Sequence, residues 1–443
     1  MKACQDMFKI NNISIFVIGA LMSASLGAAD LLDVYKRALD NDNQIKITEA
    51  DYFIAKEQYN QSLSTVFPEI DLDAQKQENK IGKYTGGGDI ADNRTKTYSV
   101  NISQPILRLG LFDELEKASS NVEKYGENQN NVKKDLIIKS TRLYFSLIDL
   151  MNGITASKIK KSISELQLSN ARLLYEKGSL TDIELNKYRD NYRVSEIELY
   201  QLENEYVSAK QDIFLLTAKE IVDIHNLNTE INFPIFKYDL STILAKALVE
   251  DETVKMALHD VNIAENDLSS NRAGHYPTVD LLATYDYTNT SSGSYRGAST
   301  QEGSTVSLVF NFPIFQGGYV NSKIRESKHN LEKTKLNLDL MRKEVKKDII
   351  NSYNNFMFNQ NLVNASREKL QEAEQNFETI KNGFMFGVNT DIQVTKANYD
   401  FHISKNEYIK AVMDYLLADL KIKKYSSKLS SKDIELINQW LIW

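Results

Sequence analysis

The residue types that carry chemistry are thinly spread along this chain. Its five histidines, His225, His259, His275, His329 and His402, show no metal-ligand spacing, and its only cysteine is Cys4. Gly86-Gly87-Gly88 is followed by no Gly-Lys-Ser/Thr and sits between strand-like runs, so it reads as an external loop and not as a phosphate cradle. No Ser/His/Asp set, paired-carboxylate site or nucleotide fingerprint stands out, so the sequence gives no support to an enzyme, a metal or a cofactor. What remains is a pair of short motifs, Gly178-Ser179-Leu180-Thr181-Asp182-Ile183-Glu184 and Gly387-Val388-Asn389-Thr390-Asp391-Ile392-Gln393. In each, a threonine is followed three residues later by Glu or Gln, which is a capping box, and an aspartate stands in the first helical turn, where the dipole favours an anion. The glycine before each box ends one helix and the box starts the next.

These motifs recur because the chain repeats itself, with an offset of about 209 residues. Phe67-Pro68-Glu69-Ile70-Asp71-Leu72 returns as Tyr276-Pro277-Thr278-Val279-Asp280-Leu281, and Gln104-Pro105-Ile106-Leu107 returns as Phe312-Pro313-Ile314-Phe315. The expected division is a signal peptide over residues 1–29, a first repeat over 30–219, a linker over 220–239, a second repeat over 240–425 and a short helical tail over 426–443. Lys2 and Lys9 give the leader its positive region, Ile13 to Met22 its apolar stretch, and Gly27-Ala28-Ala29 a small-residue cleavage site. Its removal takes the only cysteine with it. The 53 Lys and Arg against 60 Asp and Glu are interspersed, which argues against nucleic-acid binding.

Within each repeat the hydrophobic period changes twice. Residues 31–65 read as helix. Ile70, Leu72 and Ala74 then alternate with Asp71, Asp73 and Gln75, and Tyr98, Val100 and Ile102 alternate with Ser99, Asn101 and Ser103. The second repeat shows Val279, Leu281, Ala283, Tyr285 and Tyr287, then Val306, Leu308, Phe310 and Phe312, and only Leu282 breaks the rhythm. Strands of about 9 to 12 residues with one apolar and one polar face have the length and dyad pattern of transmembrane β-strands. Ser291 to Glu302 reads as a second external loop. Residues 110–177 and 317–382 contain no proline and predict helices of roughly 100 Å, far longer than a globular domain is wide. Return helices are expected over about 181–219 and 391–424.

Four strands per chain cannot close a barrel around a lumen, and open edges are not tolerated in lipid. Symmetric closure makes three chains and about twelve strands the natural solution, with the helices forming a coaxial tube. The predicted fold is thus an α+β membrane protein, a trimeric β-barrel continuous with a long α-helical barrel, built from two tandem repeats.

At this point the residues resemble the TolC family of outer-membrane export channels. The resemblance rests on the duplicated helix-strand-strand-helix order, on Gly274-His275-Tyr276-Pro277-Thr278-Val279-Asp280-Leu281 before a strand, on Phe312-Pro313-Ile314-Phe315-Gln316-Gly317-Gly318 before a long helix, and on the glycine-marked turns. It implies a homotrimer in the outer membrane with its helical barrel in the periplasm, a periplasmic adaptor protein and an inner-membrane pump as partners, and passive export of drugs or proteins. It further implies that the turns form a periplasmic gate from Thr181, Asp182, Glu184, Asp391, Gln393 and Lys396, with adaptor contacts at Gly178, Ser179, Leu180, Gly387 and Val388. Counted from the glycine, the family's two aspartates of the second repeat correspond to Gln393 and Lys396, and its linking tyrosine and arginine to Phe384 and Asn389. The carboxylates left to line a constriction are Asp182, Glu184 and Asp391. The rival expectation is a trimeric stalk or adhesin without transport.

Overall fold

The computed structural model describes residues 30–80, 93–221, 223–230, 233–234, 236–291 and 298–442; the leader and Gly86-Gly87-Gly88 lie outside them. The first repeat runs α1 (Leu31–Asn41), α2 (Asn43–Ser64), β1 (Glu69–Asn79), β2 (Asn93–Leu107), α3 (Gly110–Glu176) and α4 (Asp182–Thr217). After a short strand β3 (Asn226–Leu227), the second repeat gives α5 (Leu240–Glu250), α6 (Glu252–Ala273), β4 (Thr278–Thr290), β5 (Ser299–Asn311), α7 (Tyr319–Met385) and α8 (Asp391–Tyr425). The chain then adds α9 (Ser431–Asn438) and β6 (Leu441–Ile442).

The helix expected over 31–65 is two helices, and Asp42 is the reason. Its backbone is extended, and its carboxylate accepts hydrogen bonds from the amides of Gln44 (2.6 Å) and Ile45 (3.3 Å), so it ends α1 while capping α2. Asp251 does the same in the second repeat, accepting from Thr253 (2.9 Å) and Val254 (3.3 Å). Helix α7 starts two residues later than expected because Gly317 and Gly318 adopt φ of +61° and +83°, a conformation that cannot continue a helix. Likewise β5 begins at Ser299, so part of the stretch expected as a loop up to Glu302 is strand.

Helices α3 and α7 each span 67 residues, about 100 Å at the ordinary rise. In α7 the buried positions Leu338, Val345, Ile349, Ser352, Phe356 and Val363 follow steps of three, four and seven residues, one seam along the helix against its neighbours. The thickest core lies midway along the helices, where Tyr144, Ile148, Ile213, Ile349, Phe356, Tyr408 and Leu416 are almost fully buried. Here the linker and the tail meet. Strands β3 and β6 pair, Trp440 sits edge-on against Phe233 at 5.4 Å, and Asn438 donates to Asp30 (3.0 Å) while accepting from the amide of Leu32 (3.2 Å). Lys423 joins Asp419 and Asp433, each at 2.8 Å, and the Tyr238 hydroxyl donates to Asp419 at 2.5 Å. Burial pushes the Asp419 carboxyl above the usual range.

The strands form one antiparallel sheet in the order β1-β2-β4-β5, so the hairpins of the two repeats join through β2 and β4. The register slips between Pro105 and Leu107, as expected where a proline cannot donate to the ladder. Among the described residues no helix is long and apolar enough to cross a membrane.

Candidate functional site

Two places carry the features singled out in the sequence: the helix turns at one end of the molecule and the sheet at the other. At the first turn α3 ends in a Schellman motif. Gly178 has φ of +72°, its amide donates to the Tyr175 carbonyl (2.9 Å), and the Ser179 amide donates to that of Leu174 (2.9 Å). Gly387, with φ of +73°, repeats this: it donates to Phe384 (2.9 Å) and Val388 donates to Gly383 (2.8 Å). Both expected capping boxes are formed. The Thr181 hydroxyl oxygen accepts from the Glu184 amide (3.3 Å), while the Glu184 carboxylate accepts from the Thr181 amide (2.9 Å) and hydroxyl (2.8 Å). These bonds, the amide's first, hold the Glu184 carboxyl below the usual range. Thr390 and Gln393 make the neutral version, with the Thr390 amide donating to Gln393 at 2.8 Å.

Asp182, Asp391, Gln393 and Lys396 are all exposed, as are Gly178, Ser179, Gly387 and Val388. Leu180 differs, being half-buried against Leu168, Ala171 and Leu185. Each turn is bound within itself; among the described residues no hydrogen bond or ion pair joins one turn to the other.

Sequence reasoning missed two features here. Gly383 provides a slot for Asn389, whose amide donates to the Ile380 carbonyl (2.9 Å); a Cβ at 383 would stand 2.3 Å from Asn389 Nδ2. The signal was present, because the repeat offset sets Gly383 against Leu174 and Asn389 against Leu180, a paired departure. The second feature is apolar exposure: Ile183, Phe386 and Val388 are 82%, 83% and 77% exposed, which leaves the tips with bare hydrophobic surface beside the carboxylates.

The sheet sorts its side chains by face. In consecutive rows, Ile70, Ile102, Ala283 and Val306 stand opposite one another, followed by Leu72, Val100, Tyr285 and Ser304, then by Ala74, Tyr98, Tyr287 and Glu302. Toward the helices the same face continues as Leu281 with Leu308 and Val279 with Phe310. The other face carries Asp71, Asn101, Thr284 and Thr305 in one row and Asp73, Ser99, Asp286 and Gly303 in the next. Within it Asn101 donates to Asp73 (2.8 Å), and Arg108 makes a two-pronged pair with Asp280 at 2.8 and 2.9 Å. Among the described residues, each of β1 and β5 has a neighbour on one side only. The histidines lie apart on separate elements; His275 meets Asn321 at 3.2 Å and His259 meets Glu123 at 3.3 Å.

Comparison with known proteins agrees with this geometry. Residues 243–426 match the family described as Outer membrane efflux protein. The chain is 23% identical over 424 residues to Outer membrane protein TolC of Escherichia coli (strain K12), covering 94% of this chain and 85% of that protein. It is 20% identical to Alkaline protease secretion protein AprF of Pseudomonas aeruginosa, covering 93% and 87%. In three dimensions it shares the fold of the Campylobacter jejuni CmeC outer membrane channel, with a TM-score of 0.72 at 15% identity over 94% of this chain and 90% of that one.

Proposed function

We propose that this chain, whose residues 243–426 match the outer membrane efflux protein family, is the outer-membrane exit channel of an efflux or type I secretion system. Three copies close a β-barrel of about twelve strands in the outer membrane, and their helix hairpins form a continuous tube in the periplasm. The observation that carries this reading is the sheet register: four strands align one apolar face row by row, and the two outer edges are left for pairing. In hydrocarbon each unpaired backbone group costs several kcal/mol, so such a sheet is stable there only when edge β1 of one protomer meets edge β5 of the next. The polar face then lines the lumen.

The channel is a passive conduit, and the energy comes from an inner-membrane pump joined through a periplasmic adaptor. The turns form the periplasmic entrance. Thr181, Asp182, Glu184, Asp391, Gln393 and Lys396 line it, and Gly178, Ser179, Leu180, Gly387 and Val388 meet the adaptor. Opening is a realignment of the hairpins, for which the exposed tips carry little packing to break. The cargo is drugs or proteins, and the relative AprF is named for alkaline protease secretion.

The test is planar-bilayer recording on the purified protein, with chemical crosslinking of the same sample. A crosslinked trimer with single-channel openings is expected. A monomer, or a trimer that stays silent with the tip proteolytically removed, overturns the conduit and leaves a stalk.

A further inference from the structure

The apolar face of the sheet ends on an arrangement that its own stability disfavours. One row beyond Ala74, Tyr98 and Tyr287, on the side remote from the helices, Lys76 stands directly opposite Lys96 on the neighbouring strand. Like charges directly opposite in an antiparallel pair are destabilising. The next row sets Glu78 against Arg94, and this one carboxylate serves two cations, Lys76 at 3.1 Å and Arg94 at 3.1 Å. Among the described residues no carboxylate pairs with Lys96, which is exposed. The row continues with Asn289 and Thr300, which satisfy each other at 3.1 Å and add no charge. At the opposite end of the sheet the only comparable cation among the described residues, Arg108, is held by Asp280. One row in, on β5, the same face carries Glu302, which accepts from the Tyr285 hydroxyl, so the face's excess of cations, Lys76, Lys96 and Arg94 against Glu78 and Glu302, lies at this one end.

Depth then identifies the partner. Lys76 and Lys96 lie two residues, about 7 Å along the strand, past the tyrosine row that closes the apolar band. Aromatic rings mark the hydrocarbon boundary of such a sheet, so the lysines stand at the level of the lipid headgroups. A phosphate ester brings negative charge and several acceptor oxygens, enough to receive two ammonium groups and a guanidinium at once. We infer that Lys76, Lys96 and Arg94 form, on each protomer, a dock for the phosphate of a phosphorylated lipid in the outer leaflet. The lipid offsets the lysine repulsion and pins the barrel vertically. This inference rests on the conduit reading, which fixes the face and the leaflet.

The experiment uses the full-length protein in phosphatidylethanolamine vesicles doped with either bisphosphorylated lipid A or its dephosphorylated counterpart, followed by native mass spectrometry of the released trimers. The wild type is expected to retain the phosphorylated lipid about 10-fold over the other, and each lysine-to-glutamine change to cost roughly 5-fold. K96Q is the safer variant because it breaks no ion pair among the described residues, and K76Q/K96Q is expected to approach parity. Equal retention of the two lipids by the wild type, or an unchanged ratio in K76Q/K96Q, overturns the dock. Displacement of the lipid by an equimolar amount of inorganic phosphate also overturns it, in favour of a free-anion site. Single-channel recording of the same samples separates the two readings: a wild type that conducts without lipid preference defeats only the dock, whereas one that neither inserts nor conducts defeats the conduit beneath it.

Discussion

A charge placed on one face of the sheet should be costly, and the same charge one residue away should not. Val306 stands in the central row of the apolar face, beside Ala283 and in line with Ile102 and Ile70, and its side chain is 73% exposed in the single chain. Rows two steps away in either direction, at Val279 and at Tyr287, limit the band, so Val306 lies about 13 Å along the strands from each limit and, with the usual tilt, about 10 Å inside the membrane. Arginine at that depth costs about 2–4 kcal/mol per chain, which is roughly 30- to 1000-fold in the folding equilibrium. Thr305 points to the other face, in the row of Asp71, Asn101 and Thr284, where water and neighbouring carboxylates would welcome a cation. Val306→Arg is therefore expected to lower the midpoint of urea-induced unfolding from vesicles and the yield of heat-stable trimer, while Thr305→Arg stays within about 1 kcal/mol of wild type. Two neighbouring residues of similar exposure thus report which face meets lipid. A cost for Thr305→Arg equal to or above that of Val306→Arg would refute the assignment of faces and the barrel built on it.

Gly383→Ala forces a Cβ into the Asn389 amide at 2.3 Å, so it should weaken the second turn by about 1–3 kcal/mol, seen as faster hydrogen exchange around residues 380–390; in an Asn389→Ala background the penalty should vanish. Thr181→Ala removes the cap of α4 and is expected to cost about 1 kcal/mol locally. Since Thr181 holds the Glu184 carboxyl below its ordinary range, the stabilisation from that carboxylate is present at neutral pH and is lost as pH falls through the lowered value; carbon-13 NMR titration should find Glu184 returning to the usual range in Thr181→Ala. Trp440→Ala, which empties the contact with Phe233, should cost about 3–5 kcal/mol by thermal unfolding if the tail is part of the core, and under 1 kcal/mol if it merely rests on the surface.

The repeat, the long helices and the four strands were legible because each rests on a local signal: the offset, the absence of proline, and alternation such as Ile70-Asp71-Leu72-Asp73. The turn residues were legible for the same reason, as Gly178 with Thr181 and Gly387 with Thr390 use only near neighbours. The break at Asp42 was hidden because one aspartate ends a helix and starts another without a glycine or proline, and Ala38 and Ile45 stand seven residues apart, on the helical period, across it. The pairing of β3 with β6 was beyond reach. Each strand is two residues long, and Asn226-Leu227 meets Leu441-Ile442 only because helices of both repeats bring them together. The slot at Gly383 fell between these cases, visible as a departure between repeats but meaningful only once Asn389 is seen to reach back across the turn.

The two repeats share a backbone but not their electrostatics, and the difference falls on one helix. At the corner between α1 and α2, Asp42 receives Lys139 of α3 at 3.1 Å. The corresponding partner of Asp251 in the second repeat, by the offset, is Asp348, and burial pushes the Asp251 carboxyl up. The cation at that corner comes instead from α3 of the first repeat, as Lys134 reaches Glu252, the residue next to Asp251. Helix α3 further binds α8 through Asp149 with Lys410 (3.0 Å) and Asp135 with Lys424 (2.6 Å), and α6 through Lys117 with Asp267 (3.3 Å) and Lys124 with Asp260 (2.6 Å). Among the described residues the duplicated partner α7 makes two comparable links, Lys335 with Glu265 of α6 and Lys369 with Glu407 of α8. One of two equal 67-residue helices has thus become the post to which both repeats are tied. Exposed pairs of this kind contribute at most about 1 kcal/mol each, so their role is less to hold the fold than to set its register.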